Sequence, residues 1–208
     1  MWLSLGAVLA FSLLVGTIAL ALWGLSLPDH DPFKAVVVPI EEARNGEVIQ
    51  IVGRIRRAET VPSVLGETVT MFDLEVREPG ATKRAGYARV LQETGVAGFV
   101  LEDESGRARV DVRQVTLIPA VGTPFTAIDR RVRDLLDRRG RRGDAWQRTL
   151  RQRYLSAHEG DRVSIVGRCR RDEESAYRAE GSVVLEAPKD GPLLIRIERP
   201  RSKREKKR

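Results

Sequence analysis

Between residues 46 and 59 the chain reads GEVIQIVGRIRRAE, and Ile49, Ile51, Gly53 and Ile55 alternate with Gln50, Val52, Arg54 and Arg56. A period of two is that of a half-buried strand, one face toward a core and the other toward water. The pattern returns 114 residues later as GDRVSIVGRCRRDE, residues 160 to 173, with Val163, Ile165, Gly167 and Cys169 at the apolar positions; eight of the fourteen aligned residues are identical. Gly53 and Gly167 fall inside these strands, where a missing side chain marks a bulge or the tight bend of a closing barrel. Two further stretches read as extended, ETVTMFDLEVRE (67 to 78) and GFVLEDESGRARVDV (98 to 112). The second is a hairpin: Phe99 and Leu101 lead in, Ala108, Val110 and Val112 lead out, and Glu104, Ser105 and Gly106 turn the chain, with Gly106 free to take a positive φ. GSVVLEA (181 to 187) and GPLLIRIE (191 to 198) supply two short strands.

Between the hairpin and the second Gly-centred strand the period lengthens. Ile128, Val132, Leu135 and Leu136 share one helical face, with Thr126 as candidate N-cap and Gly140 as the stop. Trp146, Leu150 and Tyr154 form a second stripe at helical spacing behind a cap at Asp144, and such stripes belong to a core. The expected fold is therefore mainly β with a helical insertion over about 126 to 158, an α+β arrangement whose order matches an OB-like small β-barrel, where the helix falls between the third and fourth strands. The two Gly-centred strands are either the first and fourth strands of one barrel or the first strands of two.

Residues 1 to 27 carry no ionisable side chain. A span needs about 20 apolar residues to cross hydrocarbon, so the stretch predicts one N-terminal transmembrane helix. Trp2 and Trp23 stand near its ends as interfacial anchors, and Pro28, Asp29, His30 and Asp31 close it. A cleaved signal peptide with Ala19 and Ala21 at its site fits less well, because no Lys or Arg precedes the run and the run is too long. Residues 28 to 45 then read as a linker with a first short strand, 46 to 195 as the barrel domain, and 196 to 208 as a basic disordered tail.

Charge refines this picture. The chain has net charge +7, and the tail RIERPRSKREKKR alone carries +6. Such a tail is too charged to join a core. Arg201, Lys203, Arg204, Lys206, Lys207 and Arg208 are its candidate contacts to anionic lipid. Lys34 and Arg44 follow the apolar run, so the positive-inside rule places the domain in the cytoplasm, on a bacterial inner membrane. A second arginine-rich run, 129 to 153, is read as the solvated faces of the helices.

VLGETVTMFDLEVRE (64 to 78), the hairpin, IDRRVRDLL (128 to 136) and RYLSAHEGDRVSIVGRCRR (153 to 171) together resemble the membrane-associated GIDE, or BAM, domain of prokaryotic membrane proteins and mitochondrial-anchored ubiquitin ligases. The most specific block is Phe99, Leu101, Glu102, Asp103, Glu104, Ser105, Gly106, Arg107, Val110 and Asp111; the second runs from Gly160 and Asp161 through Gly167 to Arg168. The resemblance implies a domain lying beside a membrane. Family members often carry Cys and aromatic residues where this chain has Val69, Thr70, Met71 and Phe72, and a second span where it has RSKREKKR. The family's ligase activity needs a RING with eight Cys/His ligands for two zinc ions, against one Cys and two His here.

No catalytic, cofactor or metal set emerges from the residues. Cys169 occupies the position of Ile55 in the repeat and reads as a small core residue. His158 has no placed partner, and Glu102, Asp103 and Glu104 lack the spacing of a calcium loop. The phosphate-loop pattern is also missing. The expectation is a noncatalytic, single-pass membrane module that binds or scaffolds a protein partner at the membrane surface. The rival is a tethered OB-like nucleic-acid binder, disfavoured because only 5% of residues are aromatic and stacking platforms need them.

Overall fold

The two copies of the repeated strand pair with each other. In the computed structural model, which describes residues 32–34, 36–80, 86–171 and 183–198, they lie antiparallel with Ile51 opposite Ile165, its own counterpart in the repeat. A local two-fold axis therefore passes between these two residues, and it relates detail as well as direction. Gly46 donates its N–H to the Cys169 carbonyl (2.7 Å) and Gly160 donates to the Ile55 carbonyl (2.9 Å). Cys169 donates to the Glu47 carbonyl (2.8 Å) and Ile55 to the Asp161 carbonyl (2.9 Å). Gly46 and Gly160 hold φ of 86° and 93°, a turn that only glycine takes without strain. The repeat thus builds one barrel, and the two-barrel alternative is set aside.

Numbered along the chain, the strands are β1 (Val48–Arg56), β2 (Val61–Pro62), β3 (Thr68–Val69), β4 (Met71–Pro79), β5 (Tyr87–Val96), β6 (Phe99–Glu102), β7 (Arg107–Val110), β8 (Val115–Ile118), β9 (Thr126–Ala127), β10 (Arg151–Ala157), β11 (Arg162–Arg171), β12 (Val183–Glu186) and β13 (Leu193–Ile197). The helices are α1 (Arg130–Arg138) and α2 (Asp144–Gln147). Five strands close a barrel in the order β1-β6-β7-β12-β11 and back to β1. All its pairings are antiparallel except β7 with β12. β13 and β8 extend the sheet outward from β11.

The barrel interior follows from the alternation. Ile49, Ile51, Ile55, Val163, Ile165 and Cys169 meet Phe99, Leu101, Ala108, Val110, Val183 and Leu185 in one buried cluster. Gly53 and Gly167 are where strands press together: a Cβ on Gly53 would stand 2.6 Å from the Glu102 carbonyl oxygen, and one on Gly167 would stand 2.6 Å from Leu193 Cδ1 and 3.0 Å from the Glu186 carbonyl oxygen. Both are close-approach glycines, as a closing barrel requires.

Two long insertions, between β1 and β6 and between β7 and β11, meet to form a second sheet in the order β5-β4-β10-β9. Helix α1 covers it, and Val132, Leu135 and Leu136 join Leu74, Val76, Leu91, Ile128 and Leu150 in a second core.

Several expectations change here. The helical insertion does not run over 126 to 158. Residues 126 and 127 are strand β9, and α1 is capped by Asp129, whose carboxylate accepts the Val132 N–H at 2.9 Å, rather than by Thr126. The chain turns at Gly140 as expected, with φ 74°. The Trp146, Leu150 and Tyr154 stripe is not a helix beyond Gln147; from Arg151 the chain is β10, because β4 offers it a seven-residue ladder. The long strand β5 and the short β8 were not foreseen. The first short strand expected within 28 to 45 reduces to one bridge, Val37 to Gln50, and a 3₁₀ turn at Ile40–Glu42.

Residues 1 to 34 separate as a unit of their own, of which a 3₁₀ turn at Pro32–Lys34 is described. The expected span with Trp2 and Trp23, and the tail positions Arg201, Lys203, Arg204, Lys206, Lys207 and Arg208, lie outside the described residues. Among the described residues no helix is long and apolar enough to cross a membrane.

Candidate functional site

The hairpin block singled out in the sequence divides between core and surface. Phe99 and Leu101 are sealed in the barrel, 3% and 0% exposed. The turn that follows is held by Asp103, whose Oδ1 accepts the Ser105 N–H (2.8 Å), the Ser105 hydroxyl (2.7 Å) and the Gly106 N–H (2.9 Å). Its Oδ2 accepts the Ile40 N–H at 2.9 Å, tying the turn to the segment before β1. Gly106 is not in a left-handed conformation; its contributions are that N–H and a face against Ile40, 3.6 Å from where a Cβ would lie. Asp111 lies beyond the hairpin in a forked pair with Arg113, 2.5 and 3.0 Å, which holds its carboxyl below the usual range. Gly160 and Asp161 form the turn into β11, where Asp161 accepts the His158 N–H at 2.8 Å.

Glu102 sits at the junction of three strands. Its two carboxylate oxygens accept separately from Arg56 (2.7 Å) and Arg107 (2.8 Å). Those hydrogen bonds, first from Arg56 and then from Arg107, lower its pKa. Glu186 is its counterpart across the local two-fold, since Arg168 stands opposite Glu186 as Arg54 stands opposite Glu102. Glu186 accepts from Arg168 and from Arg170, the latter at 3.2 Å.

Each Glu borders an opening. The larger, about 710 Å³, is a groove lined by Val37, Val38, Pro39 and Glu41 before β1, by Val52, Gly53 and Arg54 of β1, by Glu102, Asp103, Glu104 and Ser105 at the hairpin turn, and by Arg162. The smaller, about 320 Å³, is lined by Asp111, Arg113, Gln114, Arg168, Glu186 and Ala187. They share the counterpart pairs Arg54/Arg168 and Glu102/Glu186 but are otherwise lined by unrelated residues, and they differ in charge pairing. Around the smaller one each Arg has a carboxylate. In the larger, Glu102 is committed to Arg56 and Arg107, so Arg54 gives its Nη1 to the Gly160 carbonyl (3.0 Å), and Arg162 has no carboxylate partner among the described residues.

Arg54 and Arg162 face each other across β1 and β11. The backbone bonds of Ile55 with Gly160 and Asp161 fix the odd-numbered residues of β1 as the hydrogen-bonded positions of that ladder, so Arg54 and Arg162 form a non-hydrogen-bonded pair, with Cα atoms about 4.5 Å apart. The same alternation turns the N–H and C=O of Val52 away from β11, into the groove. Val38 N–H takes the neighbouring Gln50 carbonyl (2.9 Å) and β6 pairs from Arg54 onward, which leaves Val52 open between them.

Sequence reading singled out Glu102, Asp103, Ser105 and Gly106 but not Val52, Arg54, Arg162 or Glu41. The signal available was the repeat itself, in which Arg162 replaces Val48 on the outward face. Cys169 is fully buried and burial pushes its thiol pKa up. Among the described residues no cluster of His, Cys, Asp and Glu is arranged to hold a metal ion. Comparison with protein-family models, curated proteins and solved structures finds no match.

Proposed function

We propose that this chain is a noncatalytic, membrane-tethered binding module, an OB-like barrel of the GIDE/BAM kind that presents its groove to a protein partner at the surface of a bacterial inner membrane. The observation that carries the reading is the groove beside Val52: a concave, half-apolar surface on a closed barrel, bordered by the turn on which the family resemblance is strongest. The strand order, with a parallel closing pair between β7 and β12, supports the OB-like assignment. Of the carboxylates that line it, Glu102 is engaged by Arg56 and Arg107 and Asp103 holds the turn, whereas Glu41 and Glu104 are exposed. The apolar run 1 to 27 supplies the tether, and the tail supplies a second, electrostatic contact with anionic headgroups, roughly 1 kcal/mol per basic residue near the surface.

A nucleic-acid role would require aromatic rings on a basic groove, each stack contributing about 1 to 3 kcal/mol. Phe72 and Phe99 are buried, Phe125 lies beneath Arg77 and Arg153, and Trp146 donates its ring N–H to Glu78 at 2.7 Å. The test is binding of a soluble form, residues 32 to 208 with and without 199 to 208, to neutral vesicles, anionic vesicles and duplex DNA across a salt series. Tail-dependent, salt-sensitive binding to anionic vesicles, at least as strong as that to DNA, is expected. A clear preference for DNA favours the nucleic-acid module instead.

A further inference from the structure

The arginine-rich run 129 to 153, read in the sequence as solvated helix faces, divides in two in the structure. At the front of α1 the charges are mixed: Arg130 stands 4.0 Å from Asp134, and Arg131 is paired with Glu67. Toward the end of the helix and beyond it they are not. Arg138, Arg141, Arg142 and Arg148 are exposed and have no carboxylate partner among the described residues. The backbone that carries them is fixed. Gln147, 2% exposed, donates its side-chain amide to Asp137 (2.9 Å) and to the Arg141 carbonyl (3.0 Å), and Arg141 donates its own N–H to the Leu136 carbonyl (2.9 Å). Gly140 and Gly143, at φ 74° and 137°, let the chain close into this knuckle. The negative end of α1 favours a cation in its last turn, which accounts for Arg138 but not for Arg142 and Arg148 further along the chain. Four like charges on one fixed loop repel each other, and an anionic surface facing them relieves that repulsion.

We propose that this knuckle, Arg138 to Arg148, is a docking surface for an anionic lipid bilayer. The inference deepens the membrane-module reading above and rests on it. It adds a contact made by the folded domain, separate from that of residues 199 to 208. Guanidinium groups suit the chemistry, since each presents a planar fork to phosphate oxygens. Each basic residue near an anionic leaflet adds an attraction that decays within a Debye length, so a loop held in place keeps all four within reach together. A bilayer fits better than a nucleic-acid strand, which calls for a groove and stacking rings. None of the four arginines lines either opening, and Trp146, the one aromatic residue of the stretch, is half-buried with its ring N–H committed to Glu78.

The full-length protein is reconstituted into lipid nanodiscs, neutral or anionic, whose headgroups carry a fluorescence quencher. A fluorophore is attached at the exposed position 145 through Ala145→Cys; Cys169, fully buried, stays unlabelled. Quenching about twofold or more greater in anionic than in neutral discs is expected, falling to the neutral level in about 0.5 M salt. The combined variant Arg138→Gln, Arg141→Gln and Arg142→Gln should lose the difference. Arg130→Gln with Arg131→Gln, at the front of the same helix, should keep most of it, and so should the chain without residues 199 to 208. The combined variant should also melt no earlier than the parent, because it removes repulsion, so lost contact is not lost fold. Equal quenching in the two kinds of disc, a difference that the combined variant keeps, or one that vanishes with residues 199 to 208 alone overturns the proposal while the membrane module stands. Arginine-dependent binding of duplex DNA in neutral discs, without that difference, reassigns the knuckle to nucleic acid. A chain that does not enter the discs at all sinks the membrane reading and the docking surface with it.

Discussion

At the scale of single residues, the barrel is closed by what Gly53 and Gly167 lack. Their environments differ in a way that predicts different costs. The atom nearest a Cβ on Gly53 is the backbone oxygen of Glu102, and the next side-chain atom is Leu101 Cγ at 3.0 Å, itself packed in the core. Neither can withdraw without parting β1 from β6. On Gly167 the nearest atom is Leu193 Cδ1, the end of a side chain that can rotate, with the Glu186 oxygen farther away. Overpacking of a dense core costs about 1 to 3 kcal/mol. Gly53→Ala is therefore expected to lose stability near the top of that range in urea unfolding, and Gly167→Ala clearly less. Equal losses would mean that the close approach of β1 and β6 is not what sets the cost.

At the scale of elements, what the sequence disclosed and what it concealed have physical causes. β1, β11, the β6–β7 hairpin and α1 each carry a complete periodic face of their own, so they were legible. β10 was not: its burial runs irregularly, with Gln152, Leu155 and Ala157 buried, and Leu150 happens to fall four residues after Trp146. Its strand state comes from β4, about 80 residues away in sequence. β5 hides its alternation behind a register shift opposite Val76 and Arg77 and an exposed outer face. The groove was half legible, since its turn is a motif, whereas the Arg54–Arg162 opposition depends on a register between strands far apart in the chain. The junction of β1, β6 and β7 also yields a pH prediction. Hydrogen bonds from Arg56 and Arg107 hold the Glu102 carboxyl below its usual range. A depressed folded pKa gives stability that is present above the unfolded value, about 4.3, and is lost as pH falls through the folded one. Glu102→Gln should accordingly lower the thermal midpoint at pH 7, and the deficit should shrink as both proteins are acidified below about pH 4. A deficit independent of pH would point to packing instead of charge.

At the scale of the whole domain, the two cores are unequal and share strands. Among the described residues nineteen buried residues form the barrel cluster and eight the second. β4 and β10 run from one to the other: Met71 and Ala157 belong to the barrel cluster, while Leu74, Val76 and, just before β10, Leu150 belong to the second. Neither insertion has enough apolar surface alone, as an isolated hairpin such as β4–β5 is marginal in water. The second sheet forms only because the closed barrel brings both insertions together, and, unlike the barrel, it is an open sheet with two edge strands. It should therefore open without the barrel opening. Leu136 is fully buried in the second core, and Leu136→Ala is expected to cost about 2 to 5 kcal/mol. In native-state hydrogen exchange that cost should appear as lost protection across β4, β5 and β10, with β1 and β11 keeping more of theirs. Because the groove is built from the barrel wall and its turn, the β1–β11 ladder beside it should survive the same substitution. Uniform loss of protection would show instead that the two cores fold as one unit and that the groove depends on both.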